Sequence, residues 1–299
     1  MLAPKLLTCM SVGQIGNVRF ISLAILASAA ASAQPAVQDK SRETPSTSKL
    51  WSSAWETLDK GLRDGDPEHR KKALTAAGTI GAAPDAVRRV VQSLHDKNTL
   101  VRQKAAATLG EMGSPDAIPD LKAALDDGPE VSFTAAKALS SLGDSSGMEI
   151  FWQVMQGERK DGPGFVKGAV RNAKHKLSSG ELAVMGAKEA AGVFGPGAFV
   201  VDILQETVKN VKQSGGAAGR VVVAGILAKD ADPNTVSLLE WALRDDSSAV
   251  RGAVAQALGE CGNQDTILKL EPLLSDDSHS TRYMAAAAII RLNLKFAPE

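Results

Sequence analysis

From residue 50 onward, apolar residues recur at spacings of three and four. Leu50, Trp51, Ala54, Trp55, Leu58 and Leu62 fall on one side of a helix. That spacing predicts an amphipathic helix whose apolar side needs another element to cover it. Val101, Ala105, Ala106 and Leu109 repeat the pattern in the next part of the chain. Glycines at 81, 113, 143 and 262 close such stretches, in the place where a left-handed residue commonly ends a helix. An Asp follows at 85, 116 or 265, with Pro84 and Pro115 close by. These residues start a second helix, which runs to Leu94, Leu125, Leu243 or Leu274.

The helical pairs repeat. Shifting the segment from Asp245 by 31 residues brings Asp276-Asp277, Arg282, Ala286 and Ile289 under Asp245-Asp246, Arg251, Ala255 and Leu258. The reverse shift brings up Arg220, Ala224 and Leu227. In the N-terminal half, Arg70, Gly78 and Gly81 recur 32 residues on as Arg102, Gly110 and Gly113. Leu62, Leu94 and Leu125 mark one place in successive units. One helical pair cannot bury its apolar face alone, whereas stacked pairs can, so a period of 30–32 residues defines a solenoid.

The segment Asp245 to Gly262, Asp-Asp-Ser-Ser-Ala-Val-Arg followed by an Ala-rich stretch and Leu-Gly, resembles the short HEAT-like repeat. That family includes the type named after phycobilisome lyases. The resemblance covers residues 64–143 and 220–292. It implies an all-α fold, a HEAT-like α-α superhelical solenoid of roughly five or six pairs, with an irregular helical insertion in the middle. It also implies an Arg–Asp ladder between neighbouring repeats through Arg70, Arg102, Arg220, Arg251 and Arg282. Ser132 stands where the third unit would have its Arg, so the ladder is expected to break there.

The chain divides accordingly. Residues 1–33 read as a signal peptide: Lys5 and Arg19 precede an apolar run from Phe20 to Ala30, and Ala31-Ser32-Ala33 supplies a small-x-small cleavage pattern. Residues 34–47 are polar with two prolines and read as a flexible linker. Residues 48–156 form the N-terminal repeats and 220–299 the C-terminal ones, and Trp51 and Trp55 sit on a helix expected to cap the N-terminal end. Between the repeats, residues 157–219 depart from the period. There Lys167, Arg171 and Lys174 oppose an apolar side made by Phe165, Val166, Ala169, Val170, Ala173 and Leu177. They are the candidate partner-binding residues, set against an ordinary solvated helix face. Farther on, residues 181–212 are apolar, but Lys188, Glu189 and Asp202 argue against a membrane span.

Composition narrows the chemistry. Aromatics are only 4% of the 299 residues, so Ala, Leu, Val and Ile must fill the core, which suits closely packed helices. With 34 basic and 34 acidic residues, nothing draws the chain as a whole to nucleic acid. Four histidines, at 69, 95, 175 and 279, show no metal-ligand spacing and are expected at the surface. Cys261 aligns with Ile80, Met112 and Leu142, which makes it a small core residue. The Asp pairs at 126-127, 245-246 and 276-277 recur at one repeat position, so they read as helix caps. No catalytic, metal or cofactor residue emerges. The expected function is an exported, periplasmic or secreted scaffold that binds a protein partner without catalysis of its own. The alternatives are a peripheral membrane or envelope-polymer binder using the basic middle helix, and a lyase-like enzyme.

Overall fold

A computed structural model describes residues 45–156 and 216–297, which lie within one compact unit. The described residues form twelve α-helices with short 3-10 turns and no strand. They are α1 (Pro45–Leu62), α2 (Pro67–Gly78), α3 (Pro84–Gln92), α4 (Thr99–Met112), α5 (Ile118–Ala123), α6 (Pro129–Ser141) and α7 (Met148–Met155). After the middle segment come α8 (Ala217–Leu227), α9 (Pro233–Ala242), α10 (Ser248–Cys261), α11 (Thr266–Leu270) and α12 (His279–Phe296). The all-α solenoid is as the repeat implies. The basic and apolar stretch of residues 157–215, with Lys167, Arg171 and Lys174, lies outside the described residues, as do the leader and most of the linker.

Local chemistry explains the boundaries. Asp66, Asn98, Asp232 and Ser278 cap α2, α4, α9 and α12 by accepting backbone N–H bonds in the first turn. Gly81, Gly113 and Gly143 take positive φ, as their places predict. Gly262 does not: its φ is −63°, and it is a glycine because a Cβ there would collide with the carbonyl of Leu258. The Asp pairs differ from expectation too. Asp245 and Asp276 stand two residues before the N-cap and accept from the N–H groups of Ser247 and Ser278, which occupy the cap positions themselves.

First helices stack on first helices: α8 on α10, α10 on α12, α2 on α4 and α4 on α6. Alanine allows a close approach. A Cβ on Gly110 would lie 2.9 Å from Ala138 Cβ, and one on Gly259 3.1 Å from Ala288 Cβ. Leu74, Leu109, Leu139, Leu258 and Ile289 are fully buried along this line, and truncating any of them to Ala is worth on the order of 2–5 kcal/mol.

The Arg–Asp ladder is present. Arg70, Arg102 and Arg251 donate through Nη1 to carbonyls of their own turn, and these three and Arg220 donate through Nε and Nη2 to the Asp of the next unit. Arg70 reaches Asp96 at 2.7 Å, Arg102 reaches Asp127 at 2.6 Å, Arg220 reaches Asp245 at 2.8 Å and Arg251 reaches Asp276 at 2.7 Å. Arg282 departs from the implied role. It donates to the carbonyls of Asp276 and Asp277 and has no carboxylate within 4.0 Å among the described residues.

α1 is not an end cap. It packs against α12 and α2, and α12 also packs against α2. Leu62 ends α1 in the register of Leu94 and Leu125, which end second helices. Thus α1 is a second helix with no first helix described before it. Conversely, α12 is a first helix with no second helix described after it. Each completes the other, giving a sixth pair and one continuous order of first helices, α8–α10–α12–α2–α4–α6. The contact is close: a Cβ on Gly61 of α1 would lie 2.5 Å from Cε1 of Tyr283 on α12. Arg291 of α12 also donates to the carbonyl of Thr79 at 3.0 Å.

Two predictions follow from this packing. Arg251 and Asp276 have side chains only 18% and 6% exposed, whereas Arg220 is 44% exposed. Arg251→Ala is expected to cost about 2 kcal/mol in urea unfolding and Arg220→Ala less than about 1 kcal/mol. Gly61→Ala, which forces the Tyr283 ring aside, is expected to lose about 1–3 kcal/mol and to lower Tm.

The ladder also sets an acid limit. Asp127 is held below the ordinary carboxylate value chiefly by its bond from Arg102, against the effect of burial. At Asp96, Asp245 and Asp276 burial is the largest influence and acts upward, yet the Arg and turn N–H bonds together outweigh it and the net shift is downward. Depressed folded values mean that this stabilisation is complete above the unfolded pKa of about 3.9 and is lost as pH falls through the folded values. Stability measured against pH is therefore expected to drop below about pH 4, and less steeply in Arg251→Ala.

Candidate functional site

His69 occupies the repeat position held by Val101, Val131 and Val250, each buried in its own unit. It immediately precedes the ladder residue Arg70. α2 places it against the start of α12, where His279 is the first helical residue. The two imidazoles stack with centroids 3.7 Å apart and planes 17° apart. Asp64 Oδ1 lies 3.2 Å from His69 Nδ1, and Asp66 Oδ2 lies 3.9 Å from His69 Nε2. The nearer contact is close in distance but lacks hydrogen-bond alignment, so the buried Nδ1 has no formed hydrogen bond. Tyr283, one turn along α12, sits with its ring centroid 6.1 Å from that of His279.

Asp64 occupies the ladder-Asp position of its unit. Like Asp96, Asp245 and Asp276, it accepts the N–H bond of the residue two places on, here Asp66 at 2.9 Å. In this register the Arg facing it would be Arg282, which turns back on its own loop. The Asp64 carboxylate therefore meets imidazole instead of guanidinium.

The electrostatics separate the roles. The Asp66 N–H bond, with help from the two histidines, holds Asp64 below the usual carboxylate value. Burial pushes His279 down, and Arg282 and His69 add to this against the pull of Asp64. Burial pushes the Tyr283 phenol up. At neutral pH the site thus presents an ionised carboxylate, a neutral imidazole at 279 and a protonated phenol. Asp64, His69 and His279 offer ligand atoms all within 4.8 Å of one another, and they are the three-residue group that could hold a metal among the described residues.

Spacing along the chain did not reveal this site, because its two histidines are roughly 210 residues apart. The expectation that both lie on the open surface is corrected: both are partly buried at the seam between α2 and α12. His95 is exposed, and His175 lies outside the described residues. Cys261 is buried at the end of α10, and burial raises its thiol pKa, consistent with a core residue. A second feature is an open groove of about 690 Å³ beside α1, lined in part by Trp51, Trp55 and Arg63. Its charges largely cancel: Lys60 pairs with Glu56, and Arg89 pairs with Asp59 while lying over the Trp55 ring. No described helix is long and apolar enough to cross a membrane.

A stack of antiparallel helical pairs held by an Arg–Asp ladder defines an α-helical repeat protein. The chain belongs to the HEAT repeat family, whose pattern matches residues 56–140 and 206–290. Two curated relatives are similar over part of their length. A deoxyhypusine hydroxylase of Neurospora crassa is 35% identical over 105 residues, 31% of this chain and 32% of the relative. A deoxyhypusine hydroxylase of Aspergillus clavatus is 36% identical over 89 residues, 27% of either chain. The aligned region thus spans about a third or less of the curated relatives' length. Among solved structures, human deoxyhypusine hydroxylase in complex with glycerol aligns over 83% of this chain and 99% of its own, at 19% identity and a TM-score of 0.30. An engineered protein aligns over 82% and 97%, at 17% identity and a TM-score of 0.25.

These relatives overturn the expectation of a scaffold that binds a protein partner and performs no catalysis. Both curated relatives are named as enzymes. The physical reason for the error lies in the repeat. Its regular positions encode packing, and linear motif spacing does not detect side chains that enter as single departures from the register.

Proposed function

We propose that this chain is an enzyme of the hydroxylase class, with its reactive centre at the seam of α2 and α12. Similarity to two hydroxylases carries this reading. The seam supports it by bringing Asp64, His69, His279 and Tyr283 together. Hydroxylation of an aliphatic carbon, R–H + O₂ + 2 e⁻ + 2 H⁺ → R–OH + H₂O, takes dioxygen and a two-electron reductant. Amino-acid side chains alone do not activate dioxygen, so the chemistry calls for a bound redox group. The chain's own part is to hold that group and to manage protons. Neutral His279 can accept one, ionised Asp64 can stabilise the resulting charge, and the Tyr283 hydroxyl can donate a hydrogen bond.

The basic and apolar pattern of residues 1–33 supports export of the chain, with Gln34 as the first mature residue. A protein carrying the target side chain is then the partner.

The direct test offers the purified chain a deoxyhypusine-bearing peptide with air, iron(II) and a reductant. A product heavier by one oxygen atom is expected by mass spectrometry, with at least about ten-fold less from His279→Ala. No oxygen incorporation under any of these conditions overturns the assignment. Separately, the intact mass of protein recovered from an expressing cell envelope should begin at Gln34. Retention of residues 1–33 on all of it would refute export by this leader.

A further inference from the structure

We propose that Asp64, His69 and His279 bind a divalent transition-metal ion, and that this ion ties the C-terminal repeats to the N-terminal ones. The inference deepens the hydroxylase reading and rests on it only for the chemistry such an ion would serve. The binding itself follows from geometry.

Two imidazoles and one carboxylate form a mixed nitrogen and oxygen donor set. That set suits zinc, cobalt(II) or iron(II), and is too nitrogen-rich for magnesium or calcium. Three protein donors leave coordination positions open. His69 stands where three other units bury a valine, and its Nδ1 is buried without a formed hydrogen bond. A polar atom in that condition costs free energy unless something engages it. Around it, Asp64 holds its negative charge without an Arg partner, unlike the carboxylates of the four ladder rungs.

The donors lie within 4.8 Å of one another, and metal–ligand bonds of about 2.1 Å would bring them to roughly 3–3.5 Å. In-plane lone pairs of stacked rings also run side by side. Binding must therefore tilt the imidazoles out of their stack and draw them together. Two donors come from the α1–α2 turn and α2, and the third from α12, so that contraction pulls directly on the seam. An ion that binds only the closed seam stabilises it by mass action.

The test uses the full mature chain, stripped with chelator, and cobalt(II) as the probe, followed by zinc(II) competition. A single ion per chain is expected, with visible absorption from nitrogen and oxygen ligation. His279→Ala and His69→Val should each weaken binding by about ten-fold or more. His69→Val installs the residue found in other repeats, so circular dichroism should show a native fold. His95→Ala, an exposed histidine away from the seam, should bind as the native chain does. The urea midpoint should rise with zinc in the native chain and not in His279→Ala. Binding that is absent, or unchanged in both seam variants, overturns the proposal. Metal binding without any hydroxylation leaves it standing and sinks the enzyme reading. Hydroxylation by a chain that binds no ion at the seam does the reverse.

Discussion

The architecture depends on covering apolar faces. A helical pair buries only part of its apolar surface, so every pair needs neighbours and an unfinished pair is worse off than a complete one. The described chain begins on a lone second helix and ends on a lone first helix. Packing α1 and α2 against α12 satisfies both at once, and Tyr283 fills the space that Gly61 leaves open. Without that contact Leu58, Leu74 and Ile290, all buried, would lose part of their cover.

The ladder is the second organising interaction, and the seam is where it fails. Between ordinary neighbours, Arg of one unit meets Asp of the next with bidentate geometry, which orients the helices as well as attracting them. At the seam, Arg282 turns back to its own loop and Asp64 faces histidine. One interrupted rung thereby leaves the Asp64 carboxylate beside two imidazoles. The same departure from the repeat supplies the stacked imidazoles.

Some of this was legible in the residues. The 30–32-residue period, the positive-φ glycines at 81, 113 and 143, and four ladder rungs all follow from local rules, because each is decided within one unit or between adjacent ones. A clue to the site was also present: His69 stands where Val101, Val131 and Val250 lie in three other units. It looked like a surface residue because its neighbour across the seam comes from the far end of the chain. Gly262 shows the opposite limit. Its place in the register was right, but its backbone is extended, and close approach to Leu258 is what demands glycine.

By itself, then, the sequence determined the helical pairs, their stacking unit and the bonds that join neighbours, since apolar spacing and turn residues act over short distances. It even held the two halves of the sixth pair, with Leu62 in register as the end of a second helix. Only the tertiary structure decided that α12 finds α1 and α2, because nothing in a local pattern says which exposed faces meet across the chain. That one long-range contact brings His279 onto His69 and leaves Asp64 beside them. The candidate chemistry therefore belongs to the closure of the stack, where the repeat's own rules stop applying.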